Sequence, residues 1–163
     1  MFNTDNPFKL GLIGLGIGKS IGIPAINLIP EIQLVAVHGR RRSTVESLSK
    51  DLNVKGYTDF TAMLHDNDID GIWIATPPEP RTKILEACLT SEKHIFLEKP
   101  LSTSINNLEE LMQIATEKNL YSALDFEYRK VPLFIKAQEL IASGFIGSPT
   151  CINIKWIMGN RSD

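Results

Sequence analysis

Only two cysteines occur in the 163 residues, Cys88 and Cys151, far apart and without CxxC spacing. That number excludes a disulfide scaffold, and they read as free thiols. No metal site is expected either, because none of His38, His65 and His94 has a His or Cys three or four residues on to complete a ligand pair. Long apolar runs are also missing. No stretch approaches the roughly 18 residues of a membrane span, and Met1 to Pro7 is polar without a basic leader, so a cytoplasmic protein with no membrane partner is expected. A large excess of either charge is absent too: the formal net charge is -2. No broad basic face is implied, which argues against nucleic acid as a partner. The one dense basic run, His38-Gly39-Arg40-Arg41-Arg42, therefore calls for a local reason.

What is present is a series of short, continuous apolar runs: Leu10 to Ile13, Leu34 to Val37, Ile72 to Ala75, Ile95 to Leu97, and a weaker one over Tyr121 to Leu124. Runs apolar on both faces are the mark of strands buried between two helical layers. Helical patterns alternate with them. Ser43-Thr44-Val45-Glu46 reads as a capping box opening a helix, and Asp59 to His65, Thr82 to Thr90 and Ile105 to Lys118 read as further helices. Alternation in this order predicts an α/β fold, a doubly wound parallel sheet with helices on both faces. In that class ligands bind beyond the carboxyl ends of the strands, so the residues just after each run carry the functional reading.

The pattern then changes. Pro132 to Ser143 reads as a helix closed by Gly144, and Thr150 to Ile157 alternates, with Ile152, Ile154 and Trp156 on one face. The expected division is a cofactor domain over residues 1–125, then a linker helix and the first strand of a second α/β domain, cut short, over residues 126–163.

After the first run comes GLGIGKSIGIPA, with Gly14, Gly16, Gly18 and Gly22. A glycine-rich loop opening a helix lets backbone N–H groups approach a pyrophosphate, and Gly14, Gly16 and the amides of Ile17, Gly18 and Lys19 are the candidates. The strict G-x-G-x-x-G pattern is broken, since Lys19 occupies the third glycine's place and Gly18 comes one residue early. Taken alone, the loop fits equally well a strand-to-helix turn with no ligand. Pro24 would also cost an interior helix a hydrogen bond, so the first helix is expected to begin late, near Pro24, after an extended loop.

The second run ends in His38-Gly39-Arg40-Arg41, where NAD-binding proteins commonly carry an acid for the ribose 2'-hydroxyl. Gly39 with Arg40 and Arg41 suits a 2'-phosphate instead, through guanidinium donors; the alternative is a solvated basic turn. The next ends in Ala75-Thr76-Pro77-Pro78, a rigid loop fit for a crevice wall, and the following one in Glu98-Lys99-Pro100, which puts a charged pair straight after a buried strand.

The ordered set GLGIG, ATPP, LEKP, FEYRKVP and GFIG resembles the Gfo/Idh/MocA family of nicotinamide-dependent oxidoreductases over nearly the whole chain, from about Lys9 to Ile157. The resemblance implies a Rossmann domain holding NAD(P), followed by a substrate domain on an open, mainly antiparallel sheet; with Arg40 and Arg41 in place the expected cofactor is NADP, with NAD possible. It implies that Lys99 assists hydride transfer beside the nicotinamide, on a sugar, inositol or related polyol or carbonyl compound. A homo-oligomer is expected at full length. Two departures stand out: Arg81 occupies the place where the family often has His, and Asp125 and Glu127 bring carboxylates to a segment often written GFNxR. Against the enzyme stands a second reading, a non-catalytic module that senses NADP. Further α/β coding sequence beyond Asp163 favours the enzyme, and a stop codon favours the module.

Overall fold

A computed structural model describes residues 3–104 and 106–157. Six strands form one fully parallel sheet: β1 (Phe8–Ile13), β2 (Ile32–His38), β3 (Lys55–Tyr57), β4 (Gly71–Ile74), β5 (His94–Glu98) and β6 (Ser122–Asp125), in the order β3-β2-β1-β4-β5-β6. This is the dinucleotide-binding order, with its switch point between β1 and β4. The doubly wound parallel fold expected from the apolar runs is the fold observed.

Both faces of the sheet are buried, and alternation along each strand decides which side chain enters which layer. Leu10 and Leu12 of β1 and Trp73 of β4 pack with Val37, Ile23, Ile26 and Leu48, beneath α1 (Ile23–Ile26) and α2 (Arg42–Leu52). Ile13, Ile72 and Ile74 point the other way and join Ile95 and Leu97 beneath α3 (Phe60–Leu64), α4 (Arg81–Thr90) and α5 (Leu108–Glu117). Ile13, Ile72 and Ile74 are fully buried, each worth about 1.5 to 3 kcal/mol of apolar transfer.

Several expectations are corrected. The first helix does not start late: the chain is helical from Ile17, passes through a π-helical turn at Gly18–Gly22 and continues as α1. In the widened turn Ile23 N–H donates to the Gly18 carbonyl, five residues back, and the next residue is the proline that has no N–H to give. The wider turn accommodates Pro24 where a regular one would clash. The capping box is not formed. α2 begins at Arg42 with Arg41 as its extended N-cap, which leaves Ser43 inside the helix, where its backbone cannot take the cap conformation. Glu46 lies instead 3.9 Å from Arg42 on the solvent side. α5 begins at Leu108 because Asn107, at φ 63°, breaks the helical path, and the expected start at Ile105 lies outside the described residues. A strand was missed: β3 is a polar edge strand that pairs with β2, Ala36 against Lys55 through His38 against Tyr57.

Contacts divide the chain into two units, Met1–Asp125 and Phe126–Asp163. The second, taken by itself, holds a 3-10 turn at Glu127–Lys130 and the helix α6 (Pro132–Ala142), with Pro132 at its first turn. Glu127 lies in the first turn of the 3-10 segment and Asp125 at the end of β6. Residues 150–157 do not form the expected strand. Alternation alone does not make a strand, and the second unit, taken by itself, has no described strand to complete a ladder. Trp156 instead meets Tyr128 and Phe134, with ring centroids 5.0 and 6.5 Å away. No helix among the described residues is long and apolar enough to cross a membrane.

Candidate cofactor cleft

The loops after β1, β2, β3, β4 and β5 converge at the carboxyl edge of the sheet. The first is pinned on both sides: Gly14 N–H donates to His38 O at 3.1 Å, and Ala75 N–H to Ile13 O at 2.8 Å. Gly14 has φ +108°, and a β-carbon there would lie 2.6 Å from the Ala75 carbonyl group. At Gly16, by contrast, a β-carbon would meet nothing within 4 Å. The helix's own hydrogen bonding begins with Ser20 N–H to Gly16 O, so the first-turn N–H groups have no intrahelical acceptor, as at any helix start.

Together these loops line a cleft of about 1420 Å³, above the roughly 300 to 1,000 Å³ usual for small-molecule sites. Of the residues singled out from sequence, Gly14, Gly16, Ile17, Gly39, Arg40, Arg41, Ala75, Thr76, Pro77, Glu98 and Lys99 line it. Gly18, Lys19 and Pro78 do not. Gly18 is buried against Leu12 and Ala75, and Lys19 is exposed on the helix. Arg40, Arg41 and Lys99 are solvent-exposed cations at the rim, and Glu98 is buried.

Sequence reasoning missed part of the lining. Thr58, Asp59 and Phe60 enter it from the end of β3, where Asp59 caps α3 by accepting from Thr61 N–H at 2.9 Å. The Asx cap signal was readable, but its neighbourhood depended on recognising a polar strand. Arg81 is the second omission: it lines the cleft yet is buried, hydrogen-bonded to backbone carbonyls. His38 is the third. Burial pushes its imidazole below the ordinary histidine value, with Thr58's backbone and Asp59 pulling part-way back.

Two polar atoms of this lining are buried without a hydrogen-bond partner among the described residues, Thr76 Oγ1 and His38 Nδ1. Buried polar atoms are rarely left so unless something else satisfies them. With the open face of Gly16 and the guanidinium pair at the other strand end, they form a donor set that fits a phosphorylated dinucleotide. Among the described residues no group of three or more His, Cys, Asp or Glu could hold a metal ion.

Comparison with known proteins gives the same assignment. The chain is 30% identical over 146 residues to the oxidoreductase YrbE of Bacillus subtilis, covering 88% of this chain and 42% of that protein. It is 25% identical to myo-inositol 2-dehydrogenase of Thermotoga maritima, over 90% of this chain and 44% of the other. Scyllo-inositol dehydrogenase of Lactobacillus casei superposes with a TM-score of 0.79 at 29% identity, over 86% of this chain and 43% of its own. The 3-ketoreductase KijD10 of Actinomadura kijaniata, solved with NADP and TDP-benzene, shares the fold with a TM-score of 0.79 at 24% identity, over 85% of this chain. The chain thus spans less than half the length of these relatives. Residues 8–126 match the model of the oxidoreductase family's NAD-binding Rossmann fold, and the chain belongs to that family, Gfo/Idh/MocA.

Proposed function

We propose that this chain is the cofactor-holding part of an NADP(H)-dependent oxidoreductase that transfers a hydride to or from a carbinol carbon of a cyclitol, sugar or related polyol. The observation that carries the reading is the convergence in one cleft of the Gly14–Gly16 turn, the Arg40–Arg41 pair, the unsatisfied Thr76 hydroxyl and Lys99. The inositol and sugar substrates in the relatives' names support the substrate class.

In this reading the amides following Gly14 and Gly16 bind the pyrophosphate, and Arg40 and Arg41 bind the ribose 2'-phosphate. The dinucleotide, when bound, supplies the hydride chemistry. Lys99 Nζ orients the substrate oxygen and stabilises charge that develops on it, holding a proton at that atom. Thr76 Oγ1 donates to or accepts from the bound cofactor. Titration of the folded chain with NADPH, followed by nicotinamide fluorescence, tests the assignment. Binding with a Kd on the order of micromolar is expected. No binding at millimolar cofactor would overturn it.

A further inference from the structure

Arg81 opens α4 and is only 4% exposed. A guanidinium is costly to bury unless its donors are filled, and here they are filled by three carbonyls on two different loops. Nε donates to Thr76 O at 2.9 Å and Nη2 donates to the same oxygen. Nη1 donates to the carbonyls of Glu98 and Pro100, the residues on either side of Lys99. One side chain therefore joins the loop after β4 to the loop after β5. The next residue repeats the tie further along, with Thr82 Oγ1 and Ser102 Oγ 3.0 Å apart.

We infer that Arg81 is a positioning residue that sets the nicotinamide half of the cleft, holding Thr76 and Lys99 at a fixed separation through their backbones. The inference rests on the dinucleotide reading above. A planar fork of five donors can span carbonyls on two loops, whereas an ammonium presents its donors from one point. The adenosine half is built from Gly39, Arg40 and Arg41, none of which Arg81 touches among the hydrogen bonds described.

Two probes separate the halves: NADPH, which fills the cleft, and 2',5'-ADP, which carries the phosphorylated adenosine end and no nicotinamide. For Arg81→Ala in this chain, NADPH affinity should fall about tenfold or more and 2',5'-ADP affinity less than about twofold, as for a lost set of charged hydrogen bonds confined to one half. Low-millimolar guanidinium should restore NADPH binding to the variant and leave the wild type unchanged. If Arg81→Ala yields no folded protein, Arg81→Lys should give the same selective loss. Equal losses for both probes, no loss for either, or failure of guanidinium to restore binding would overturn the positioning role while leaving the cofactor reading intact. A folded wild type that binds neither probe would overturn the dinucleotide reading, and the positioning role with it.

Discussion

Gly14 backs directly onto the main chain of Ala75: a β-carbon on Gly14 would sit 2.6 Å from that residue's carbonyl carbon and oxygen and 2.9 Å from Thr76 N. The contact joins the turns after β1 and β4, the two strands that flank the switch point of the sheet. Gly16, two residues on, faces open cleft. Gly14→Ala should therefore destabilise the fold, by more than the roughly 1 kcal/mol typical of a point substitution, because both its positive φ and the backbone contact oppose a side chain. Gly16→Ala should leave the thermal midpoint close to wild type and weaken NADPH, since its methyl projects where the ligand would lie. Thermal melts with and without NADPH check both. An unchanged NADPH affinity in a stable Gly16→Ala protein would show that the loop does not approach the cofactor.

Arg40 and Arg41 stand exposed at the end of β2 with no carboxylate among the ion pairs described to neutralise them. Replacing both by Ala should weaken NADP by about 2 to 4 kcal/mol, the scale of one or two partly exposed charged hydrogen bonds, and change NAD little. Isothermal titration with the two cofactors compares them. Equal losses would mean that the pair does not read the 2'-phosphate.

Lys99 follows a strand whose last residues, Leu97 and Glu98, are buried, while its own side chain lies exposed at the cleft. Lys99→Met keeps the apolar stem and removes the charge, so folding and NADP binding should survive. In the full-length enzyme turnover should drop about a hundredfold or more, the scale of one lost proton-transfer or electrostatic contact. A stable variant within a few fold of wild-type kcat would make the EKP motif structural.

Away from the cleft, Asp66 accepts from Lys55 Nζ at 2.7 Å, from Tyr57 Oη at 2.8 Å and from Asp68 N–H at 3.0 Å. The Lys55 bond, against the opposing effect of burial, holds its carboxyl down at about 2. A carboxyl whose folded value lies below its unfolded one near 3.9 stabilises the fold fully above that value, and the contribution is lost as pH falls towards about 2. The urea midpoint of the wild type should therefore fall more steeply below about pH 4 than that of Asp66→Asn. Parallel pH profiles would show that this cluster does not carry the acid response.

By itself the sequence determined the alternation of buried strands and helices, hence a parallel sheet, because apolar runs and their spacing are local properties that survive any packing. It also identified the turns that line the cleft from β1, β2, β4 and β5, since glycines, arginines and prolines after a strand are visible in the chain. Tertiary structure decided the rest. Lys55-Gly56-Tyr57 becomes a strand only because β2 offers its free edge, and no property of those residues announces it. Its pairing brings Thr58, Asp59 and Phe60 into the cleft. Ser43 to Glu46 has the pattern of a cap, yet the N-cap of α2 is Arg41, two residues earlier, and residues 150–157 alternate without pairing. Arg81 shows in the chain only as a departure from the family's usual His, and its burial between two loops is a tertiary result, because only the folded chain brings the carbonyls of Thr76, Glu98 and Pro100 to one point, and a guanidinium satisfied by carbonyls is stable where an unpaired one is not.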